Sequence, residues 1–261
     1  RFENVGFRYP GAASFALRDY AEAIVGSGFP GILGAAPRLR NGLLDAYLQR
    51  IIDRDLPEQG YEVRRPETLR RWLAAYGAAS STTTAYSRLL DATTAGDGAQ
   101  PAKTTTIAYR DRLTQLWLLD PVPGWTPANS AISNLQQAPK HQLADPALAA
   151  RLLRITSSAL LGPGGAHMMG PLFESLVTLG VRVAAQAAEA RVSHLRLHGG
   201  DREVDLIVEG AEGQILGIEV KLAPAVTDSD VRHLLWLRDQ LPGRVVDLVV
   251  VTTGSTAYRR P

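Results

Sequence analysis

The chain contains no cysteine. Disulfides, thiolate nucleophiles and cysteine-based zinc sites are therefore excluded; the lack of cysteine fits the cytoplasm, the location expected, but also fits elsewhere. No run approaches the roughly 18 apolar residues of a membrane span, and no signal peptide is visible at the start. A phosphate loop of the form G-x-x-x-x-G-K-[ST] is also missing. Gly162-Pro163-Gly164-Gly165 lacks the lysine that would follow, so this chain alone is not expected to hydrolyse ATP. The five histidines (His141, His167, His194, His198, His233) never show H-E-x-x-H spacing. His194 and His198 lie too far apart on one strand face for a single ion and read as surface or substrate-groove residues. Without G-x-S-x-G there is no hydrolase elbow. Charge of one sign is scarce too: 28 Lys+Arg stand against 26 Asp+Glu, a net +2. Such a balance permits nucleic-acid contact without arguing for it.

What is present suits a globular protein: 45% hydrophobic and 21% charged residues over a length of 261, enough for about two domains. Arg is the main cation, as in bidentate phosphate recognition; the Arg and Ala bias equally fits a GC-rich bacterial genome. The start at Arg1, not Met, reads as a fragment or a processed product. Over residues 1–60 the expectation is a short helix at Leu17–Val25, a turn at Gly26–Gly31, and a helix at Leu39–Arg54. Its apolar positions are Leu43, Leu44, Tyr47, Leu48, Ile51 and Ile52, and Pro57 stops it. Over residues 64–125, Pro66 opens a helix with Leu69, Trp72, Leu73 and Tyr76 inward and Gly77 near its end. A second helix starts near Thr83, with Tyr86, Leu89 and Leu90 inward. A turn containing Gly96, Gly98 and Pro101 follows. A third helix from about Thr104 turns Tyr109, Leu113 and Leu116 inward. Trp117-Leu118-Leu119 reads as a strand, and Pro121–Trp125 as a turn. This succession matches a winged helix-turn-helix. Lys103, Thr104, Thr105 and Thr106 would open its third helix as DNA-binding residues, with Arg64, Arg65, Arg70 and Arg71 nearby. The same module could serve packing or protein contact. The four tryptophans read as core or turn anchors.

Residues 126–261 form the third unit. Pro139–Leu143 reads as a strand leading to Asp145, which would cap a helix through Leu153. A mobile loop at Gly162–Gly165 is expected next, followed by a long helix at Pro171–Ala190. Strands are expected at Arg191–His198, Glu203–Glu209 and Ile215–Lys221, a helix at Asp228–Leu241, and a fully buried strand at Val245–Thr252. The order is αβββαβ. On the second strand Val204, Leu206 and Val208 share one face and Asp205 lies on the other with Ile207. On the third, Leu216, Ile218 and Val220 oppose Gly217, Glu219 and Lys221. Paired in a hairpin, Asp205 and Glu219 come within reach if the register permits. Two buried carboxylates repel unless a cation intervenes, and Mg2+ suits them. Lys221 would orient or deprotonate a water, and a metal so held would polarise a phosphodiester. Glu174, on the shoulder of the long helix beside Val177 and Val181, is a third metal candidate. Against this, Glu219 could simply pair with Lys221 or Arg202 at a sheet edge.

The αβββαβ order with Glu174, Asp205 and Glu219-Val220-Lys221 resembles the PD-(D/E)xK nuclease superfamily. That resemblance implies catalytic roles for Asp205, Glu219 and Lys221, and a metal set of Glu174, Asp205 and Glu219. More narrowly, the whole chain resembles the C-terminal portion of AAA-type ATPases that end in a domain of unknown function. The matching stretches are Gly28-Phe29-Pro30, Tyr47–Asp55, Thr105-Thr106 with Tyr109, Pro139-Lys140, Leu143–Pro146, Phe173-Glu174, Glu203–Asp205 and Glu219–Lys221. Relatives continue beyond a stretch like Thr253–Arg260. The fold class implied is α+β and multidomain: residues 1–60 as the end of an ATPase region, 64–125 as winged helix-turn-helix, and 126–261 as the restriction-endonuclease-like domain. The resemblance further implies ATP only in a longer parent chain, DNA and the missing ATPase region as partners, and no membrane. The function expected is a DNA-binding, Mg2+-dependent nuclease portion of such an ATPase, or a non-catalytic DNA- or protein-binding module of it.

Overall fold

The computed structural model describes residues 15–93, 102–126, 132, 135 and 137–259. The chain is mixed α/β, with helices through its first part and a four-stranded sheet in its second. The Gly96, Gly98 and Pro101 turn and the far end of the Thr253–Arg260 stretch lie outside the described residues.

Helix α1 (Leu17–Gly26) opens the first part. Helix α2 spans Pro37–Arg50. Rather than closing at Asp53-Arg54-Asp55, where the sequence pattern ends it, the helix passes through a π-helical turn at Ile51–Asp55 into α3 (Leu56–Glu58). The wider turn lets adjacent Ile51 and Ile52, and Leu56 after them, all become buried. Pro57 is tolerated because it opens the last short turn. Helices α4 (Pro66–Ala78), α5 (Tyr86–Thr93) and α6 (Lys103–Gln115) follow the expected spacing. Trp72, Leu73, Tyr76, Leu89, Tyr109 and Leu113 are their buried contributions. Gly77 is the penultimate residue of α4, near its end as expected, and packs against Ala149 of the following helical part.

Instead of a regular strand, residues after Trp117 form a short ribbon. Leu119 bridges Leu143, and Val122 exchanges backbone hydrogen bonds of 2.9 Å with Lys140 in both directions. Trp117 anchors nothing: it is 75% exposed and holds a positive φ of 57°. Helices α7 (Pro146–Leu152) and α8 (Ser157–Leu160) come next. Asp145 caps α7 as expected, accepting from the Ala147 N–H at 2.7 Å. Its second oxygen accepts from the Gly28 N–H (2.7 Å) and the Ser27 hydroxyl (3.0 Å), tying the Gly26–Gly31 turn to the helix start.

Helix α9 spans Ala166–Ala187 and starts a turn earlier than the proline suggested. Pro171 lacks one donor, but the buried side of Met168, Met169, Leu172 and Phe173 carries the helix past it. By length and hydropathy alone α9 is long and apolar enough to cross a membrane, although its apolar run is broken. It instead packs on the sheet, with Glu174 and Arg182 tied to Lys140 and Asp120.

Strands β1 (Arg191–Arg196), β2 (Glu203–Glu209), β3 (Ile215–Lys221) and β4 (Val245–Thr252) lie in the order β1-β2-β3-β4. The first two pairings are antiparallel and β3–β4 is parallel, reached through α10 (Asp228–Gln240). Helix α9 covers the face bearing Leu206, Val208, Ile218 and Val220, which joins the core of the helical part. Helix α10 covers the other, where Leu234 and Leu237 meet Ile207 and Ile215. Gly217 lies beneath α10, with Leu234, Leu237 and Leu248 within 3.2 Å of where a Cβ would stand.

Two expectations fail here. Val204 joins the second core cluster with Ile207 and not the face of Leu206. Strand β4 is an edge strand and not a buried one, and all its residues keep partial or full exposure. Its apolar composition suits a strand with neighbours on both sides, but β3 pairs on only one.

Candidate functional site

The site is built around a residue assigned no catalytic role by the sequence pattern. Lys140 is 1% exposed. Its backbone is clamped by the two hydrogen bonds to Val122, which drives the side chain inward. Its ammonium lies 2.8 Å from Asp205 Oδ1, 3.0 Å from Glu174 Oε1 and 3.1 Å from Glu203 Oε1. An ammonium has three protons to donate, and three carboxylates surround it.

Asp205 reaches this position through a break in register. Ser193 faces Ile207 and Leu195 faces Val204, so two residues of β2, Asp205 and Leu206, stand opposite His194 alone. A bulge of this kind bends a strand and re-aims a side chain. The Asp205 carboxylate thereby meets Lys140 with one oxygen and accepts from the Val220 N–H at 2.9 Å with the other. The β2–β3 register is unbroken, with Leu206 facing Ile218, so Asp205 still stands next to Glu219 as expected. Strict alternation fails for His194, which is wholly buried and not a groove residue. Its Nε2 lies 2.9 Å from the Ala138 carbonyl. Burial, helped by the charge of Lys140, pushes its pKa down to about 4, so the ring is neutral and donates there.

The surroundings complete a charge cluster. Arg196 pairs with Glu203 at 2.9 Å, and Lys221 pairs with Glu219 at 2.8 Å. The Glu219–Lys221 pair is thus the simple ion pair that the sequence also allowed. The second oxygen of Glu219 is buried with no hydrogen-bond partner. Burial, then the charge of Asp205, pushes the Glu219 carboxyl up to about 7 against the pull of Lys221. Glu174 is likewise raised to about 7, by burial first, although Lys140 draws it down. For Asp205 burial works upward too, but Lys140 and the two hydrogen bonds outweigh it and hold the carboxyl below its usual range. Burial alone would strip the proton from Lys140; Asp205, Glu174 and Glu203 together reverse that and raise its pKa. The cluster therefore sets four carboxylates (Glu174, Glu203, Asp205, Glu219) against three cations (Lys140, Arg196, Lys221).

A divalent ion does not fit these residues as they stand. Magnesium needs oxygens at about 2.0–2.1 Å in octahedral array. The convergence point of Glu174 and Asp205 is filled by the Lys140 ammonium at hydrogen-bond distance. Among the described residues no group of three or more His, Asp or Glu side chains is arranged to hold a metal ion. Glu174 and Asp205 are brought together by Lys140, while Glu219 and Lys221 form a neighbouring pair. Lys140, Glu203 and Arg196 were missed. Glu203 shares alternation with Asp205, and Lys140 stood within Pro139-Lys140, but neither position by itself carries a nuclease pattern.

At the start of α6, Lys103 and Thr104 are exposed and Thr105 half-exposed. Thr106 is buried, its hydroxyl donating to the Lys103 carbonyl at 2.8 Å, so it faces inward. Tyr61 packs edge-on against Tyr109 at 5.9 Å. That contact carries Arg64 and Arg65, both exposed, towards α6, and the positive charge of Arg65 acts on Tyr109.

Residues 17–159 match a family described as a domain of unknown function, DUF8612, and residues 169–261 match another, DUF4143. No curated protein and no solved structure matches the chain. The first matched region ends within α8 and the second begins within α9. Lys140 thus comes from one region and the three carboxylates around it from the other.

Proposed function

The chain belongs to the DUF8612 family, and from that premise we propose that it is a non-catalytic, DNA-binding arm of a longer AAA-type ATPase, with a nuclease-like domain held shut by its own lysine. The single observation that carries this is Lys140, whose ammonium occupies the space among Glu174, Glu203 and Asp205. An internal cation there supplies the charge balance that a metal would supply in a cutting enzyme. It also ties the helical part to the sheet. The ATPase parent is inferred from the likeness in Pro139-Lys140, Phe173-Glu174 and the β2–β3 acids. The DNA contact is inferred from a winged-helix reading of α4–α6 and the ribbon. In that reading, exposed Lys103 and Thr104 lie at the start of the third helix, with Arg64 and Arg65 beside it.

Fluorescence anisotropy with a labelled duplex tests this. Binding should weaken steeply with salt, and Lys103→Glu with Arg64→Glu should reduce it at least tenfold, because phosphate contacts dominate such affinity. Unchanged affinity in the double variant would sink the DNA assignment.

A second reading is Mg2+-dependent phosphodiester hydrolysis. It is favoured by the buried, partnerless oxygen of Glu219 next to Lys221. It requires Lys140 to withdraw. Cutting of DNA in Mg2+ or Mn2+ that disappears in Asp205→Asn would establish this reading over the first.

A further inference from the structure

Glu174, Thr178 and Arg182 follow one another along α9 at intervals of four residues, so they share one face of the helix. That face meets the ribbon that follows Trp117. Glu174 accepts from the Lys140 ammonium at 3.0 Å. Two turns on, Arg182 donates to the Asp120 and Pro121 carbonyls at 2.8 Å each and pairs with the Asp120 carboxylate. Thr178 stands between these two rungs. Facing it is Gln142, two residues after Lys140 and so on the same side of the extended ribbon. The two side chains do not bond to each other. The Thr178 hydroxyl and Gln142 Oε1 are both buried without a hydrogen-bond partner, in residues only 2% and 3% exposed.

Their neighbours fix what this pair can take. The Ser81 hydroxyl gives its proton to the Pro171 carbonyl (2.8 Å), so it accepts from the Gln142 amide nitrogen (2.9 Å). The other end of the amide, Oε1, is therefore an acceptor in need of a donor. Thr178 does not turn its hydroxyl to the carbonyl one turn back, the usual outlet for a threonine inside a helix. Both residues line one small cavity, along with Asp120, Ser175 and Arg182, and it has about 10 Å3 for a water centre. That is room for one molecule. The guanidinium in its wall disfavours a metal ion, and a larger ligand does not fit.

We infer that the middle rung is a single internal water, which donates to Gln142 Oε1 and bonds the Thr178 hydroxyl. Successive turns of α9 are then stitched to the ribbon by an ammonium, a water and a guanidinium. Gln142 lies in the first matched region and Thr178 in the second, so the water joins the two regions as Lys140 does. Each buried oxygen gains the partner whose absence would be costly. This goes beyond the proposed DNA-binding role and does not depend on it.

A crystal structure of the native chain tests the site directly. It should show a fully occupied water at about 2.7–3.2 Å from both Gln142 Oε1 and Thr178 Oγ1. A Thr178 hydroxyl bonded straight to Gln142 with no peak between them would overturn the assignment. So would a peak with several oxygens at about 2.4 Å, which would be a metal ion. Oxygen-17 relaxation dispersion is the readout in solution, because it counts waters held inside a protein for longer than its tumbling time. Thr178→Ile replaces the hydroxyl with carbon and fills the cavity. The number of long-lived waters should fall by one from the native chain to this variant, with the far-UV circular dichroism unchanged. Gln142→Leu, which removes the acceptor, should lose the same water and serves where the larger side chain prevents folding. An equal number of long-lived waters in the native chain and a folded variant would contradict the inference.

Discussion

Replacing Lys140 with methionine removes the cation and keeps most of the side-chain volume. Four carboxylates would then face only Arg196 and Lys221, so the local charge moves from −1 to −2 if all ionise. Breaking one partner out of a buried ion network costs about 3–5 kcal/mol. Lys140 belongs at the upper end, because three carboxylates share it and its Nζ lies within 3.1 Å of each. Urea unfolding at pH 8, followed by far-UV circular dichroism, should show that loss as a lower midpoint with an unchanged slope. The deficit should shrink towards pH 5, since Glu174 and Glu219 already hold protons up to about pH 7 and hold them more tightly without the lysine. The vacated space should also accept a divalent ion. Mn2+ at a hundredfold excess over its Kd would restore about 2.7 kcal/mol, while the native chain should show no such gain. A Lys140→Met chain that loses less than about 1 kcal/mol at pH 8 without metal would refute the idea that the lysine balances the cluster.

The raised carboxyls give the native chain a pH signature. Glu219 goes from an ordinary 4.5 to about 7 in the fold. The folded state thus holds its proton more tightly, and the stability this provides is present below about pH 4.5 and lost as pH rises through 7. At about 1.4 kcal/mol per pH unit the loss is about 3.5 kcal/mol, so Glu219→Gln should flatten the stability–pH curve and stabilise the protein at pH 8; an unaltered curve would show that the carboxyl is not raised. Asp145→Ala should lower stability by about 2–4 kcal/mol in urea titration, because it removes the α7 cap and orphans the Gly28 N–H. Trp117→Gly should raise the melting temperature by relieving about 1 kcal/mol of left-handed strain, since the exposed indole gives up little packing; a lower melting temperature would reveal a contact that the exposure conceals.

Local sequence pattern was enough to place most helices and all four strands, β4 by its apolar run and the others because each buries one repeating face. Leu69, Trp72, Leu73 and Tyr76 behaved as a helical stripe, and Ile215–Lys221 as an alternating strand. It was blind to departures from a regular period. The π-helical turn at Ile51–Asp55 and the bulge at Asp205-Leu206 each add a residue, and every alternation counted across them shifts. The bulge decides the site, since it turns Asp205 to Lys140 and Val220 and buries His194. Lys140 itself lies 34 residues before Glu174 and 65 before Asp205, on a ribbon whose pairing with Val122 no local pattern announces. The exposure of β4 was hidden for a related reason: its composition speaks of neighbours, and strand order is a property of the whole sheet.

The central claim is that the acids of this cluster are already neutralised from within. Isothermal calorimetry of the native chain with Mn2+ at pH 7.5, run beside a plasmid-nicking assay in the same buffer, meets it most directly. No saturable heat at millimolar metal and no nicking are expected. Stoichiometric binding with nicking that Asp205→Asn abolishes would contradict the account.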